Sequence, residues 1–209
     1  LSGALYAPDL AALLVADLHL EQGAALARRG ISVPPFDTGL TLAALEAVVA
    51  ETAPRSIYLL GDSFHDAKGH SLLDEGVLTR LARLFAARET IWITGNHDPD
   101  PATGIGGSFG GTLQIGALSF RHEPTGGFGE VAGHLHPVAR VSHRGQTIGR
   151  RCFAADGERV VLPAFGAFTG GLNVRHAAFD AVFGARGFTA HMLGDGRIYA
   201  FAVSHCLPD

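Results

Sequence analysis

Three short β-prone runs, each closed by a polar cluster, set the strongest limit on how this chain folds. Leu13 to Ala16 closes on Asp17-Leu18-His19, Ile57 to Leu60 on Gly61-Asp62, and Thr90 to Thr94 on Gly95-Asn96-His97-Asp98. Continuous apolar runs fit strands buried on both faces, as in parallel sheets covered by helices. Helical spacing separates them. Leu40, Ala44, Leu45, Val48 and Val49 follow Asp37-Thr38, read as a helix cap, and Pro54 closes that segment. Leu73, Val77, Leu81, Leu84 and Phe85 mark a second helix. Such alternation predicts a layered α/β fold with parallel strands at its centre. In those sheets ligands gather beyond the carboxyl ends of the strands, where all three clusters stand.

The second half changes character. Leu113 to Ile115 and Leu118 to Arg121 read as a hairpin, and Val131-Ala132 runs into Gly133-His134-Leu135-His136. Short strands are expected near 138–143, 150–154, 159–162, 188–193 and 197–203, with a helix from His176 to Phe183. A second sheet, antiparallel or mixed, packs on the first, and residues 1–209 form one domain.

Composition excludes several classes. With 47% hydrophobic and 17% charged residues among 209, the chain is not disordered and can bury a core. No apolar run reaches the roughly 18 residues that cross a membrane. No basic-then-apolar leader opens the sequence, so no secretory segment is expected. Cys152 and Cys206 are far apart and in no metal-type spacing, which points to a reducing cytoplasm rather than a disulfide framework. A net charge of −4 does not advertise nucleic acid, yet six arginines lie between Arg140 and Arg175 against Asp156 and Glu158. That stretch could track a phosphate backbone, but its few aromatics favour a solvated face.

The chemistry lies in an ordered set: Asp17 and His19, Asp62, Asn96 to Asp98, His122, then His134 and His136. Strand alternation lets Asp17 and His19 point the same way, and His134 and His136 likewise. Imidazoles, carboxylates and one amide, with no thiolate, favour Mn²⁺, Fe²⁺, Zn²⁺ or Ni²⁺ over Ca²⁺. The glycines before Asp62, Asn96 and His134 let the backbone turn each ligand inward. His70, His143, His176, His191 and His205 belong to no motif and are read as structural.

The order D-x-H, G-D, G-N-H-D, H, G-H-x-H resembles the signature of the calcineurin-like metallophosphoesterases. That resemblance implies a four-layer α/β/β/α sandwich of two mixed β-sheets. It implies one metal on Asp17, His19 and His136, another on Asn96, His122 and His134, and Asp62 between them. Two cations about 3.5–4 Å apart can share a hydroxide that attacks phosphorus. His97 would then protonate the leaving oxygen, with Asp98 orienting His97. Flanking stretches are similar to the bacterial branch of ligase-associated DNA-damage-response endonucleases. These are Asp17 to Glu21, Arg28 to Gly30, Pro34 to Thr38, Gly61 to Asp66, Arg121 to Pro124, Gly133 to Pro137 and Leu162 to Asn173. This implies a nucleic-acid phosphodiester as substrate, Mn²⁺ as metal, and a DNA ligase, a helicase and an exonuclease as partners in repair. Many relatives carry Phe-Asp after Gly-Asp, where this chain reads Ser63-Phe64-His65-Asp66.

Beyond the ligands, Arg28 and His65 are the candidate substrate contacts, against a solvated helix face for Arg28 and a helix-start turn for His65 and Asp66. Arg28 could clamp a phosphate, Arg29 reads as solvated, and Glu21 as a first-turn acid. The segment Pro163 to Asn173 serves either as a substrate-side loop or as a tight turn with its aromatics in the core. Against the nucleic-acid reading stand a phosphoesterase for a small nucleotide, diphosphate or lipid-linked substrate, and a metal-bound scaffold without activity. Monomer and homodimer are equally open.

Overall fold

Alternate residues of one strand serve different cores, and this sets the layers. The computed structural model describes residues 2–31, 33–34, 36–66, 69–100 and 104–209; Pro35 of the Pro34–Thr38 stretch and Lys68 lie outside them. A five-stranded sheet runs in sequential order through β1 (Leu5–Ala7), β2 (Ala12–Val15), β3 (Ser56–Leu60), β4 (Glu89–Ile93) and β5 (Ser108–Gly110). Only β1 is antiparallel to its neighbour.

A nine-stranded sheet holds the rest. It comprises β6 (Thr112–Ile115), β7 (Leu118–Arg121), β8 (Glu130–Ala132), β9 (Pro137–His143), β10 (Gln146–Ala155), β11 (Val160–Val161), β12 (Leu172–Asn173), β13 (Thr189–Leu193) and β14 (Ile198–Ala202). Its order is β12-β9-β10-β11-β8-β7-β6, with β13 on β10 and β14 on β13. The sheet is mixed: β8 is parallel to β7 and β11, and β12 to β9. The helices are α1 (Gln22–Arg28), α2 (Asp37–Thr52), α3 (Glu75–Phe85) and α4 (Ala177–Phe183).

Leu13, Val15, Ile57, Leu59 and Trp92 face the helices, packing on Leu42, Leu45 and Val49 of α2 and Leu81, Leu84 and Phe85 of α3. Their neighbours Leu14, Ala16, Tyr58, Leu60 and Ile93 point the other way, onto Phe120, Val131, Phe153 and Leu162 of the second sheet. The far face of that sheet, including Ala139, Val141, Cys152, Ala154 and Met192, lies under Phe179, Val182 and Phe183 of α4. Three cores between four layers make the expected α/β/β/α sandwich. A one-residue slip of β2 or β3 would exchange two cores, so the register is tightly specified. Trp92 sits in the helix-side core, and its indole N–H is satisfied by the Gly106 carbonyl at 3.0 Å.

The structure differs from the sequence reading in detail. Phe36, not Asp37, occupies the cap position of α2, without a side-chain bond. Asp37 lies inside the helix, and its carboxylate accepts from the Gly23 N–H at 2.9 Å, tying α1 to α2. Asp74 does cap α3, accepting from Val77 N at 2.8 Å. The strands β1, β5 and β12 have two or three residues each and carry no periodic signal. Among the described residues, no helix is long and apolar enough to cross a membrane.

Candidate metal centre

Five segments from both sheets converge at one end of the sandwich. Donor atoms of Asp17, His19 and His136 lie within 4.8 Å of one another, and so do those of Asp62, His122 and His134. The groups adjoin: His19 Nε2 is 3.9 Å from Asp62 Oδ2, and His122 Nδ1 is 3.7 Å from Asp17 Oδ1. Asn96 joins the second, its Oδ1 at 2.9 Å from His122 Nε2.

Strand alternation does not produce this convergence. β2 ends at Val15, and Asp17 and His19 lie beyond it with φ of 55° and 44°. Asp62, His134 and His136 also hold positive φ, at 46°, 70° and 46°. For a residue with a Cβ, the left-handed region costs on the order of 1–2 kcal/mol. Five such residues at one site mark a backbone held by its surroundings rather than by local preference. His134 and His136 do not act as a same-face pair; they enter different groups.

The glycines work partly through space. Gly61 has φ of +78°, and a Cβ there would meet the His122 ring at 2.3 Å. Gly95 has no positive φ, but a Cβ on it would lie 2.1 Å from Asp62 Oδ1.

Backbone donors fix the carboxylates. Asp17 accepts from His134 N at 2.9 Å across the two sheets. Asp62 accepts from His97 N at 2.9 Å through Oδ1, which leaves Oδ2 near both His19 and His122. The His122 Nδ1–H donates to the Leu60 carbonyl at 3.1 Å, which leaves Nε2 toward Asn96 and Asp62. That tautomer is the one a metal-binding imidazole needs.

The expectation that Asp98 orients His97 is corrected. Buried Asp98 accepts from Asp62 N at 3.1 Å and Gly95 N at 2.9 Å through Oδ1, and from Phe64 N at 3.1 Å through Oδ2. It ties the end of β3 to the end of β4. His97 is oriented from elsewhere: its Nδ1 lies 2.8 Å from the His65 carbonyl oxygen. The His65 ring lines the same space, with centroids 5.4 Å from those of His19 and His97. Arg28 pairs with Asp66, so part of its guanidinium is already engaged.

The electrostatics suit cations. Burial, helped by His136, His97 and His65 against Asp62, lowers His19 to about 3, so its imidazole is neutral. Both its ring nitrogens are buried without a hydrogen-bond partner, and His136 Nε2 makes no hydrogen bond although it lies 3.2 Å from Asp17 Oδ1. Unpaired polar atoms of this kind are costly unless something binds them. Burial opposes charge on His122, yet Asp62, Asp17 and the Leu60 carbonyl raise it to about 9. Burial would raise Asp62, but His122, the His97 N–H and His19 bring it to about 2. In the metal-free chain an imidazolium thus stands where the carboxylates call for a cation. The donor set and its orphaned nitrogens fit divalent metal ions.

The arginine stretch is largely engaged. Arg151 and Arg159 donate to backbone carbonyls, and Arg140 lies 3.4 Å from Asp209. In the Pro163 to Asn173 segment Phe165 lies in the helix-side core, while Phe168 is 37% exposed. Sequence reasoning missed Glu130, a buried carboxylate accepting from Thr125 N and Gly126 N at 2.9 Å, and from Gly127 N at 3.2 Å. It anchors the turn that follows His122, and nothing in its local pattern announces that. Cys152 and Cys206 are free and buried.

No family model and no curated protein matches the chain. Among solved structures it is similar to the Pseudomonas putida nuclease MPE, with 26% identity over 96% of this chain and 92% of that one, at a TM-score of 0.69. YfcE, a phosphoesterase from Escherichia coli, matches at 14% identity over 92% of each chain with a TM-score of 0.42. The nuclease carries the comparison.

Proposed function

We propose that this chain, a member of the calcineurin-like metallophosphoesterase superfamily, is a phosphodiesterase that uses two divalent metal ions to cleave DNA. The observation that carries the reading is the pair of adjoining three-ligand groups. Asp17, His19 and His136 would hold one ion. Asn96, His122 and His134 would hold the other, with Asp62 between them. When bound, the ions supply an activated water near neutral pH and neutralise charge on the phosphoryl oxygens. Manganese is the ion we assign, from the oxygen and nitrogen donors and the resemblance stated above.

The chain's own groups do the rest. Asp62 presents one oxygen toward both groups because the His97 N–H holds the other at 2.9 Å. His97 keeps Nδ1–H on the His65 carbonyl, which leaves Nε2 as the atom that would pass a proton to the departing oxygen. Asn96 and His97 are both exposed, so a long polymer can reach them. The similarity to a nuclease supports nucleic acid as the substrate class. A place in DNA repair, beside a ligase, a helicase and an exonuclease, rests on the branch resemblance.

The test is Mn²⁺-dependent hydrolysis of bis-(p-nitrophenyl) phosphate and of plasmid and single-stranded DNA. Asp62→Asn should abolish both activities. His97→Ala should abolish DNA cleavage while harming the aryl ester less, because nitrophenolate leaves without a proton. Cleavage of the aryl ester with DNA untouched would move the substrate to a small phosphoester. Inactivity on both with metals bound would support the scaffold reading.

A further inference from the structure

We infer that Arg151, far from the ligands in sequence, is a positioning residue for one metal group only, the Asp17, His19 and His136 group. This rests on the two-metal reading. Arg151 lies on β10, and its guanidinium donates to three carbonyl oxygens of one loop: Ala164 at 2.9 Å, Gly166 at 2.7 Å and Thr169 at 3.0 Å. The planar fork of arginine suits such convergent acceptors, whereas a lysine is a point donor.

The loop passes that order to the ligands. Phe165 N and Gly166 N donate to the carbonyls of Ala16 and Asp17, at 2.9 and 3.1 Å. Gly166 packs so closely that a Cβ on it would lie 2.4 Å from the Leu18 carbonyl oxygen, between Asp17 and His19. At the other end, Leu172 N donates to the His136 carbonyl at 3.0 Å. Midway, Ala167 N donates to Thr41 Oγ1 of α2 at 3.0 Å. One loop therefore braces Asp17, the turn to His19, and His136, where the backbone holds φ of 55°, 44° and 46°. The other group has braces that the loop does not make: Asp98 behind Asp62, Glu130 beyond His122, His19 N on the Asp62 carbonyl at 2.9 Å, and His134 N on the Asp17 carboxylate at 2.9 Å.

The sign of the effect separates positioning from a simple field. Arg151 is a cation near the site, so removing its charge alone would tighten metal binding. Losing its brace should weaken binding of one ion, by roughly 10–100-fold, as for partners that orient metal ligands.

The experiment measures Mn²⁺ stoichiometry and affinity by calorimetry, and spin coupling by electron paramagnetic resonance. The variants are Arg151→Met, Arg151→Lys and the milder Thr41→Val, each checked for a cooperative thermal transition. Wild type should bind two ions with a coupled dimanganese signal. Each folded variant should keep one ion at wild-type affinity, bind the other at least tenfold more weakly, and show an isolated Mn²⁺ signal at sub-saturating metal. Combined with His19→Ala, Arg151→Met should remove nothing more; combined with His134→Ala, it should leave no tight site. If Arg151→Met does not fold, Thr41→Val and Arg151→Lys decide. Two ions at wild-type affinity, tighter binding, or equal loss of both would overturn the inference. A wild type that binds a single ion would overturn the two-metal reading, and the inference with it.

Discussion

Replacing Asp98 by Asn separates the structure's account of this residue from the role its place beside His97 suggests. The carboxylate accepts three backbone N–H bonds, from Asp62, Gly95 and Phe64, at 3.1, 2.9 and 3.1 Å. An asparagine keeps one oxygen. Placed best, it retains the two donors at Oδ1 and turns its amide nitrogen against the Phe64 N–H. That forfeits one hydrogen bond to a charged group, about 1.5–3 kcal/mol, and strands a buried donor. The two remaining bonds lose their charge assistance. Against this, burial raises the Asp98 carboxyl to about 6, so removing the charge returns some desolvation energy. The net cost should be roughly 2–3 kcal/mol, which lowers Tm by about 4–12 °C in a protein of this size. The assay is thermal unfolding in EDTA, so that metal binding does not mask the loss. Trp92 fluorescence is a suitable probe because its ring stacks on Phe64, 6.1 Å away. His97→Ala should melt close to wild type. If Asp98→Asn also melts within a degree of wild type but fails on DNA as His97→Ala does, Asp98 acts on His97 and the brace account is wrong.

Gly61→Ala should cost roughly 2–5 kcal/mol, overpacking plus a left-handed alanine, and empty the second group of its ion. The new methyl would strike the His122 ring at 2.3 Å on a backbone with φ of +78°; metal content after dialysis checks this, and full occupancy would refute it. In the metal-free chain His122 titrates at about 9, so at pH 7 it is protonated and must lose its proton to bind an ion. About one proton per chain should therefore leave on metal binding, and affinity should rise with pH until about 9; calorimetry in buffers of different ionisation enthalpy reads the number, and no release would contradict the assignment. Saturating Mn²⁺ at about a thousand times its Kd should stabilise the fold by about 4 kcal/mol for each ion bound, and EDTA should remove that gain. If Arg28 reaches DNA, Arg28→Ala should cut the salt dependence of binding by about one unit of slope. Asp66→Asn, which frees Arg28, should tighten binding; unchanged slopes in both would confine the pair to structure.

Much of this was legible early because residue type and periodicity are local. Uninterrupted apolar runs announced strands buried on both faces, and the ligand side chains stood at their ends. Ser108–Gly110 was not legible, since a three-residue strand among glycines has no pattern of its own. The reason Asp17 and His19 converge is not legible in the sequence either. Strand alternation was available from the sequence, whereas left-handed turns of non-glycine residues are not, because they oppose local preference and exist only where contacts impose them.

The sequence by itself determined which donors this protein owns, that they end strands, and that buried strands alternate with helices in its first half, since each follows from chemistry or period along a short stretch. Only the tertiary structure decided how closely the donors approach one another, that Asp98 braces loops while the His65 carbonyl holds His97, and that Arg151 stands behind the Asp17 turn. Those pairings join groups as distant as Asp17 and His134, 117 residues apart. Contacts that remote leave no trace in local spacing, because they form only when packing brings two strand ends together.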